Sequence, residues 1–144
     1  MNLYSIIQNA HSGLAYLALA ILIVVVLSAL MGMMGNKPYT EGNRKLALFG
    51  LIGAHIQLLL GLILYFVSPN GFSNFSGANM KDSTARLLML EHPLMMLIAI
   101  ILITVGYSTA KKIIDGPKRH KRILIFYGLG LILILSRIPW SNWF

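Results

Sequence analysis

The sequence has no cysteine and few charged residues. Of its 144 residues, four are Asp or Glu, 11% are charged and 57% are hydrophobic. Soluble domains are about a quarter charged, so this composition indicates a protein of the lipid bilayer. The absence of cysteine excludes disulfides and thiolate metal sites, and it leaves the redox compartment of the chain open.

Basic residues are absent before Lys37, where the chain is almost continuously apolar. A secretory signal starts with basic residues and has a shorter apolar core, so we expect this segment to remain in the mature protein. Four apolar segments are near the ~20 residues that cross a bilayer, and they lack the alternation of strands: 3–34, 46–67, 86–108 and 121–139. Short connections predict an all-α, integral membrane, up-down-up-down four-helix bundle, one domain over 1–144.

The basic residues predict the orientation of this bundle. Nine of the twelve Lys and Arg residues lie in the connections 35–45 and 108–122, and the others are Lys81, Arg86 and Arg137. The positive-inside rule places the two basic connections in the cytoplasm and both termini outside, in a bacterial inner membrane. Aromatic residues near the termini would form the outer aromatic belt: Tyr4, Trp140, Trp143 and Phe144.

The net charge of +8 arises largely from positions beside the membrane. The run Lys-Arg-His-Lys-Arg at 118–122 fits anionic lipid headgroups better than a nucleic-acid backbone, because juxtamembrane basic clusters bind such lipids. We therefore expect membrane lipid as a partner and no nucleic acid. His120, which lies inside this run, is expected to be solvated.

Two histidines occupy matching positions in the first and third predicted helices. His11 lies eight residues after Leu3 and His92 eight residues after Thr84, so each lies about 12 Å from the outer end of its helix. The first and third helices are diagonal in such a bundle, with a gap wider than the ~8–10 Å between adjacent axes. Two imidazoles facing across that gap can hold a flat metal macrocycle, and intramembrane ionisable residues are functional by default. Alternatively, each histidine only forms an interhelical hydrogen bond.

The helix faces below the two histidines carry small side chains and a soft methionine. Helical spacing places Ala15 below His11 and Met96 below His92, so both are expected to contact a bound ring. The second helix has a similar stripe: Gly50, Ala54, Gln57 and Gly61. These residues would leave room for a large ring, or they would only let membrane helices approach closely, as small-xxx-small patterns do.

His55 lies deeper in the membrane, ten residues after Lys45 in the second helix. It is about one to two turns from the level of His11 and His92, so it is not expected to bind the same iron. A second haem with two histidine ligands would need a fourth intramembrane histidine, so the histidine count limits the chain to one haem. His55 and Gln57 would contact the ring edge, a second substrate such as quinone, or only a neighbouring helix.

Charged residues and a proline surround the histidine of the third helix. Pro93 cannot donate a hydrogen bond to the carbonyl of Met89, so a local kink or a freed acceptor is expected. Arg86 and Arg137 end their helices on the side of the two histidines. They are expected to bind haem propionates, because guanidinium forms bidentate hydrogen bonds with carboxylate. Glu91 would accept a proton or form an ion pair with either arginine at the outer rim.

The order of these features resembles one half of the heme A synthase family. The matching segments are Asn9-Ala10-His11-Ser12-Gly13-Leu14, Gln57-Leu58-Leu59-Leu60-Gly61 and, after an outward loop, Glu91-His92-Pro93-Leu94. The resemblance covers most of the chain by hydropathy and implies a haem site with His11 and His92 as its ligands. The chain has one histidine pair where that family has two, and Gln8 where the family has a glutamate. It is therefore more similar to a small single-haem, b-type membrane cytochrome built on the same half-fold.

These features predict one haem b between His11 and His92 and one-electron transfer in or near a respiratory chain. Two imidazoles fill both axial positions of the iron, which favours an electron carrier over a stand-alone enzyme. A quinol or a redox protein is the expected partner, and the chain could form a homo-oligomer. Two alternatives remain open. One is a haem-handling enzyme or oxidase-assembly factor with exchangeable haem, and the other is a haem-free structural membrane subunit.

Overall fold

The computed structural model describes residues 1–143, and this part of the chain is helical without strands. Four helices are long: α1 is Leu3–Met34, α2 is Glu41–Val67, α3 is Ser83–Ala110 and α4 is Gly116–Ser136. A short helix, α5, follows at Trp140–Trp143. The predicted all-α fold is confirmed, whereas Phe144, predicted in the aromatic belt, lies outside the described residues.

Polar caps start three helices earlier than the apolar segments alone predict. Thr40 and Asn43 form a capping box, so α2 begins at 41 instead of 46. The carboxylates of Asp82 and Asp115 accept hydrogen bonds from backbone N–H groups three residues later and start α3 and α4. At its other end α4 stops at 136 instead of 139, because residues before a proline, here Pro139, avoid the helical conformation.

The four long helices form a closed ring in which each packs against two neighbours. α1 contacts α2 and α4, and α3 contacts the same two helices, so α1 and α3 lie across the diagonal. Connections of a few residues join α1 to α2 and α3 to α4, which makes these neighbours antiparallel. The packing agrees with the predicted order of the bundle. The stripes of small residues face its centre, where Ala18, Leu22, Ala54, Ala99 and Ile103 are buried.

The lengths and composition of three helices are sufficient to cross a bilayer. These are α1, α2 and α3, each with a long apolar window. α4 has 21 residues, but its first two turns contain four basic side chains. The three apolar helices indicate a membrane protein.

The expectation that His120 is solvated is wrong. Its side chain is 2% exposed and fills the space beside Gly32, where a Cβ atom would collide with the ring. Its Nε2 donates a hydrogen bond to the carbonyl oxygen of Pro38, 3.1 Å away, and the Tyr39 ring centre lies 4.9 Å from its own. Because α4 begins at 116, position 120 is already helical and faces α1, although its basic neighbours belong to the predicted surface run.

Candidate functional site

The two histidines of the diagonal helices α1 and α3 meet inside the bundle. The ring centres of His11 and His92 lie 6.3 Å apart, and the ring planes are inclined by 80°. Both rings line the same cavity. The structure therefore brings together the pair that equal depth and diagonal packing predict.

The ring of His92 is held by a backbone carbonyl. Its Nδ1 donates a hydrogen bond to the carbonyl oxygen of Arg137, 2.8 Å away, just beyond the end of α4. Because a carbonyl oxygen only accepts, this contact keeps the proton on Nδ1 and leaves Nε2 with a free lone pair. Metal-binding histidines are held in the same way, with the second ring nitrogen donating to a carbonyl or carboxylate.

A π-helical segment, Leu87–Glu91, immediately precedes His92 in α3. The backbone N–H of His92 donates to the carbonyl of Leu87, five residues earlier, and Pro93 occupies the start of the following α-helix. The carbonyl of Met89, which Pro93 cannot satisfy, accepts a hydrogen bond of 2.8 Å from the Tyr65 hydroxyl of α2. The expected freed acceptor is therefore confirmed, and Tyr65 is its partner. π-Helical turns are rare and concentrate at functional sites.

His11 has a side-chain amide as its neighbour. In the orientation that satisfies every contact, the Gln57 amide nitrogen donates to Nδ1 of His11 at 2.8 Å and to the His11 carbonyl oxygen at 3.1 Å. The amide oxygen accepts from the backbone N–H of Ala15 at 3.0 Å. Gln57 thus binds both the ring and the backbone of α1, whereas the sequence predicts a contact with a ring edge, a substrate or a neighbouring helix.

Small residues make room beside the two rings. The cavity has a volume of about 290 Å³, near the lower end of the range for small-molecule sites, about 300–1,000 Å³. A Cβ atom at Gly61 would lie 3.3 Å from Cε1 of His11 and would press on the ring. The predicted ring contacts Ala15 and Met96 both line the cavity, as do Ala18 and Ala54.

The separation of the two imidazole rings fits a haem with two histidine ligands. Two imidazoles that each bound the same metal ion through one nitrogen at about 2.0 Å would have their ring centres roughly 6 Å apart. The observed separation of His11 and His92 is 6.3 Å. The donor set also fits, since two neutral imidazoles and a mainly apolar lining are the surroundings of a b-type haem. The ring separation and the donor set are therefore compatible with the predicted group.

The two arginines predicted to hold propionates lie beside the cavity and not in its wall. Arg86 Nε lies 3.1 Å from one carboxylate oxygen of Glu91, and Arg137 Nε lies 3.8 Å from the other. All three line a neighbouring cleft, which shares Ile138 and Asn142 with the cavity. Glu91 thus forms the ion pair that was one of the two alternatives predicted for it, and binding of propionates by the arginines stays a prediction.

His55 lies away from the cavity, on the exposed side of α2. Its Nδ1 donates to the carbonyl of Leu51 within the same helix at 2.8 Å, and its Nε2 lies 3.5 Å from the Thr104 hydroxyl of α3. Of the three contacts predicted for His55, the structure shows the one with a neighbouring helix. Its separation from the histidine pair agrees with the prediction that it does not share their ligand.

Several contacts at the site have no local sequence signal. The carbonyl of Arg137 and the hydroxyl of Tyr65 act across long sequence separations, 45 and 24 residues. Polar side chains also line the cavity, near the chain termini and in the connection after α2: Tyr4, Gln8, Asn70 and Asn142. Only the missing N–H of Pro93 indicates that an unknown donor is needed at Met89.

Within residues 1–143, no group of three or more His, Cys, Asp or Glu side chains could hold a metal ion. A haem needs only two axial ligands from the protein, so the absence of such a group does not bear on the histidine pair. No protein-family model, curated protein or solved structure matches the chain. The resemblance to one half of the heme A synthase family therefore rests on the quoted segments alone.

Proposed function

We propose that the four long helices cross a bacterial inner membrane with both termini outside. Their outward faces support this proposal, because large apolar side chains are exposed on them: Leu59 at 61%, Phe66 at 64% and Ile132 at 63%. Soluble monomers rarely expose large continuous apolar patches. The connections 35–40 and 111–115, together with the basic first turns of the helices that follow them, lie at the same end of the antiparallel bundle, as the positive-inside rule requires of the cytoplasmic side.

We further propose that this protein binds one haem b between His11 and His92 and transfers single electrons. The observation that carries this proposal is the 6.3 Å separation of the two ring centres, which matches two imidazoles on one iron. Haem supplies reversible one-electron chemistry at its iron, and axial ligation by two histidines suits electron transfer. A quinol in the same bilayer or a redox protein is the proposed partner.

The protein side chains supply position and surroundings. The Arg137 carbonyl fixes which nitrogen of His92 carries its proton, and the Tyr65 hydroxyl holds the distorted turn that precedes this ligand. The mainly apolar lining disfavours added charge, which is how burial tunes a redox centre. Glu91, with its two arginines, places the nearest charges at the rim of the site.

The proposal is tested by absorption spectra of the purified, haem-replete protein, oxidised and then reduced with dithionite. We expect a Soret band and the sharp visible bands of a low-spin b-type cytochrome. His11→Ala and His92→Ala should each lower haem content at least about tenfold or produce a high-spin spectrum, because a lost ligand costs no less than a lost supporting contact.

His55→Ala is the matched control, since His55 lies in the same membrane region but outside the cavity. Its spectrum and haem content should equal those of the wild type. A haem-replete preparation without a Soret band would contradict the cytochrome and favour a structural subunit. Haem that is lost on gel filtration would favour the haem-handling alternative, and unchanged haem in both ligand variants would exclude the assigned pair.

A further inference from the structure

The two histidines of the site have unequal partners. Nδ1 of His92 donates to a backbone carbonyl, an acceptor that cannot change its role. Nδ1 of His11 faces the side-chain amide of Gln57, which can present either a donor or an acceptor. The proton of the His92 ring is therefore held on Nδ1, which leaves Nε2 free. Which nitrogen of the His11 ring carries the proton depends on Gln57.

The surrounding backbone favours one orientation of the Gln57 amide. With its nitrogen toward His11 and its oxygen toward Ala15, the amide makes three hydrogen bonds of 2.8, 3.1 and 3.0 Å. Nδ1 of His11 is then an acceptor. A neutral imidazole carries a single proton, so this proton resides on Nε2. Nε2 is the nitrogen that must be free if His11 is to bind a metal.

Binding through Nε2 of His11 therefore requires the opposite orientation. The ring proton moves to Nδ1, and the amide turns by half a revolution so that its oxygen accepts from Nδ1. The amide oxygen then faces the carbonyl oxygen of His11, and the amide nitrogen faces the N–H of Ala15. Two of the three hydrogen bonds are lost, whereas ligation by His92 disrupts no hydrogen bond of the structure.

We propose that His11 is the exchangeable axial ligand of this site and that Gln57 is the positioning residue that makes it exchangeable. The proposal rests on the haem-binding function proposed above. Small neutral ligands of iron, such as carbon monoxide, displace His11 and leave His92 bound. The position vacated by His11 opens into the cavity, where Gly61, Ala15 and Ser12 leave room for a small molecule.

Carbon monoxide binding to the dithionite-reduced holoprotein, followed by the Soret shift, tests this proposal. We expect the wild type to bind carbon monoxide with retention of His92. In Gln57→Glu the carboxylate only accepts, so it favours the proton on Nδ1 and strengthens ligation by His11. The carbon monoxide affinity should fall at least tenfold. Gln57→Leu favours neither position of the His11 ring proton, so its carbon monoxide affinity should lie between those of the wild type and Gln57→Glu.

Asn9→Asp is the matched control, because it adds the same negative charge two residues before His11 on an exposed side chain that lies outside the cavity wall. Its reduction potential should fall through charge alone, with carbon monoxide affinity unchanged. Gln57→Glu should lower both quantities. If Gln57 only packs the helices together, both Gln57 variants loosen the site and the affinity rises in both, which would overturn the proposal.

A second measurement does not depend on haem. The nitrogen chemical shifts of His11 in the haem-free protein should show the proton on Nε2 in the wild type and on Nδ1 in Gln57→Glu. A proton on Nδ1 in the wild type overturns the inference even if haem binds. Conversely, a wild type that binds no haem contradicts the proposed function, and it leaves the predicted tautomer of His11 to be read directly from these shifts.

Discussion

At the scale of single residues, the histidine site depends on hydrogen bonds made outside the cavity as well as on the side chains that face it. His92 is oriented through its other nitrogen, and Met89 is satisfied by a hydroxyl from a different helix. Buried polar atoms that lose such partners cost about 1–3 kcal/mol each. The hydroxyl of Tyr65 therefore supports the site although its hydrogen bond goes to the backbone and not to a histidine ring.

Tyr65→Phe tests this support. Removal of the hydroxyl leaves the carbonyl of Met89 buried without a donor, since Pro93 has no N–H to offer. We expect the free energy of unfolding in detergent to fall by about 1–3 kcal/mol and haem affinity to fall about 10–100-fold, as for other contacts that orient ligands. Denaturant titration and haem titration measure the two effects.

Tyr4→Phe provides the comparison for this variant. Tyr4 lines the same cavity near its outer end, and removal of its hydroxyl leaves no buried carbonyl without a donor. Its stability and haem affinity should stay within a few tenths of a kcal/mol of the wild type. Equal losses in the two variants would show that any hydroxyl at the cavity matters, and the special role of Tyr65 would be rejected.

At the scale of helices, apolar runs and small-residue stripes predict the number, order and inward faces of the long helices. The capping residues Thr40 and Asp115 lie in polar connections, so the starts of α2 and α4 depend on hydrogen bonds and not on hydropathy. Because α4 starts earlier than the apolar segment predicts, His120 lies in the helix and is buried, although the sequence places it in a charged run. The partners of His92 and Met89 were unpredictable because they lie far away in sequence, one just beyond α4 and the other in α2.

The contact between α1 and α4 at the inner end gives a prediction at this scale. A Cβ at Gly32 would collide with the ring of His120, so Gly32→Ala must separate the two helices or displace the ring. We expect a loss of about 1–3 kcal/mol in the free energy of unfolding, typical of overpacking. Haem content should not change, because this contact lies at the opposite end of α1 from His11.

Gly42→Ala serves as the control for this contact. A Cβ there would lie 3.6 Å from the Thr40 hydroxyl, which is ordinary contact. Its unfolding free energy should equal that of the wild type or exceed it by up to about 1 kcal/mol, because alanine is a better helix former than glycine. A Gly32→Ala protein as stable as the Gly42→Ala protein would show that the His120 ring can move aside without loss of stability.

At the scale of the whole molecule, the chain is a ring of apolar helices. The histidine cavity lies toward one end of the ring, and most of the basic residues lie at the other end, called the basic end below. The absence of cysteine makes its orientation easy to measure, since every labelled thiol must be an introduced one. Gly77 lies in the connection between α2 and α3, and Ile114, which is 99% exposed, lies in the connection between α3 and α4. The two positions are on opposite sides of the proposed membrane.

Gly77→Cys and Ile114→Cys therefore test the orientation of the molecule in intact cells. A membrane-impermeant maleimide should label Gly77→Cys directly and Ile114→Cys only after the membrane is opened, because the proposed topology places the basic end in the cytoplasm. The unsubstituted protein is the background control. The reverse pattern would invert the topology, and labelling of both positions in intact cells would contradict a membrane-spanning bundle.

The π-helical segment of α3 also has a consequence for how this chain can change in length. A π-helical turn holds one residue more than an α-helical turn, whereas each residue of an α-helix advances about 100° around the axis. Deleting one residue from Leu87–Glu91 would convert the segment to regular α-helix and leave Arg86 and His92 facing their present directions. A deletion elsewhere in α3 would turn the residues on one side of it by about 100° relative to those on the other. Single-residue deletions should therefore be tolerated in this segment and selected against in the rest of the helix.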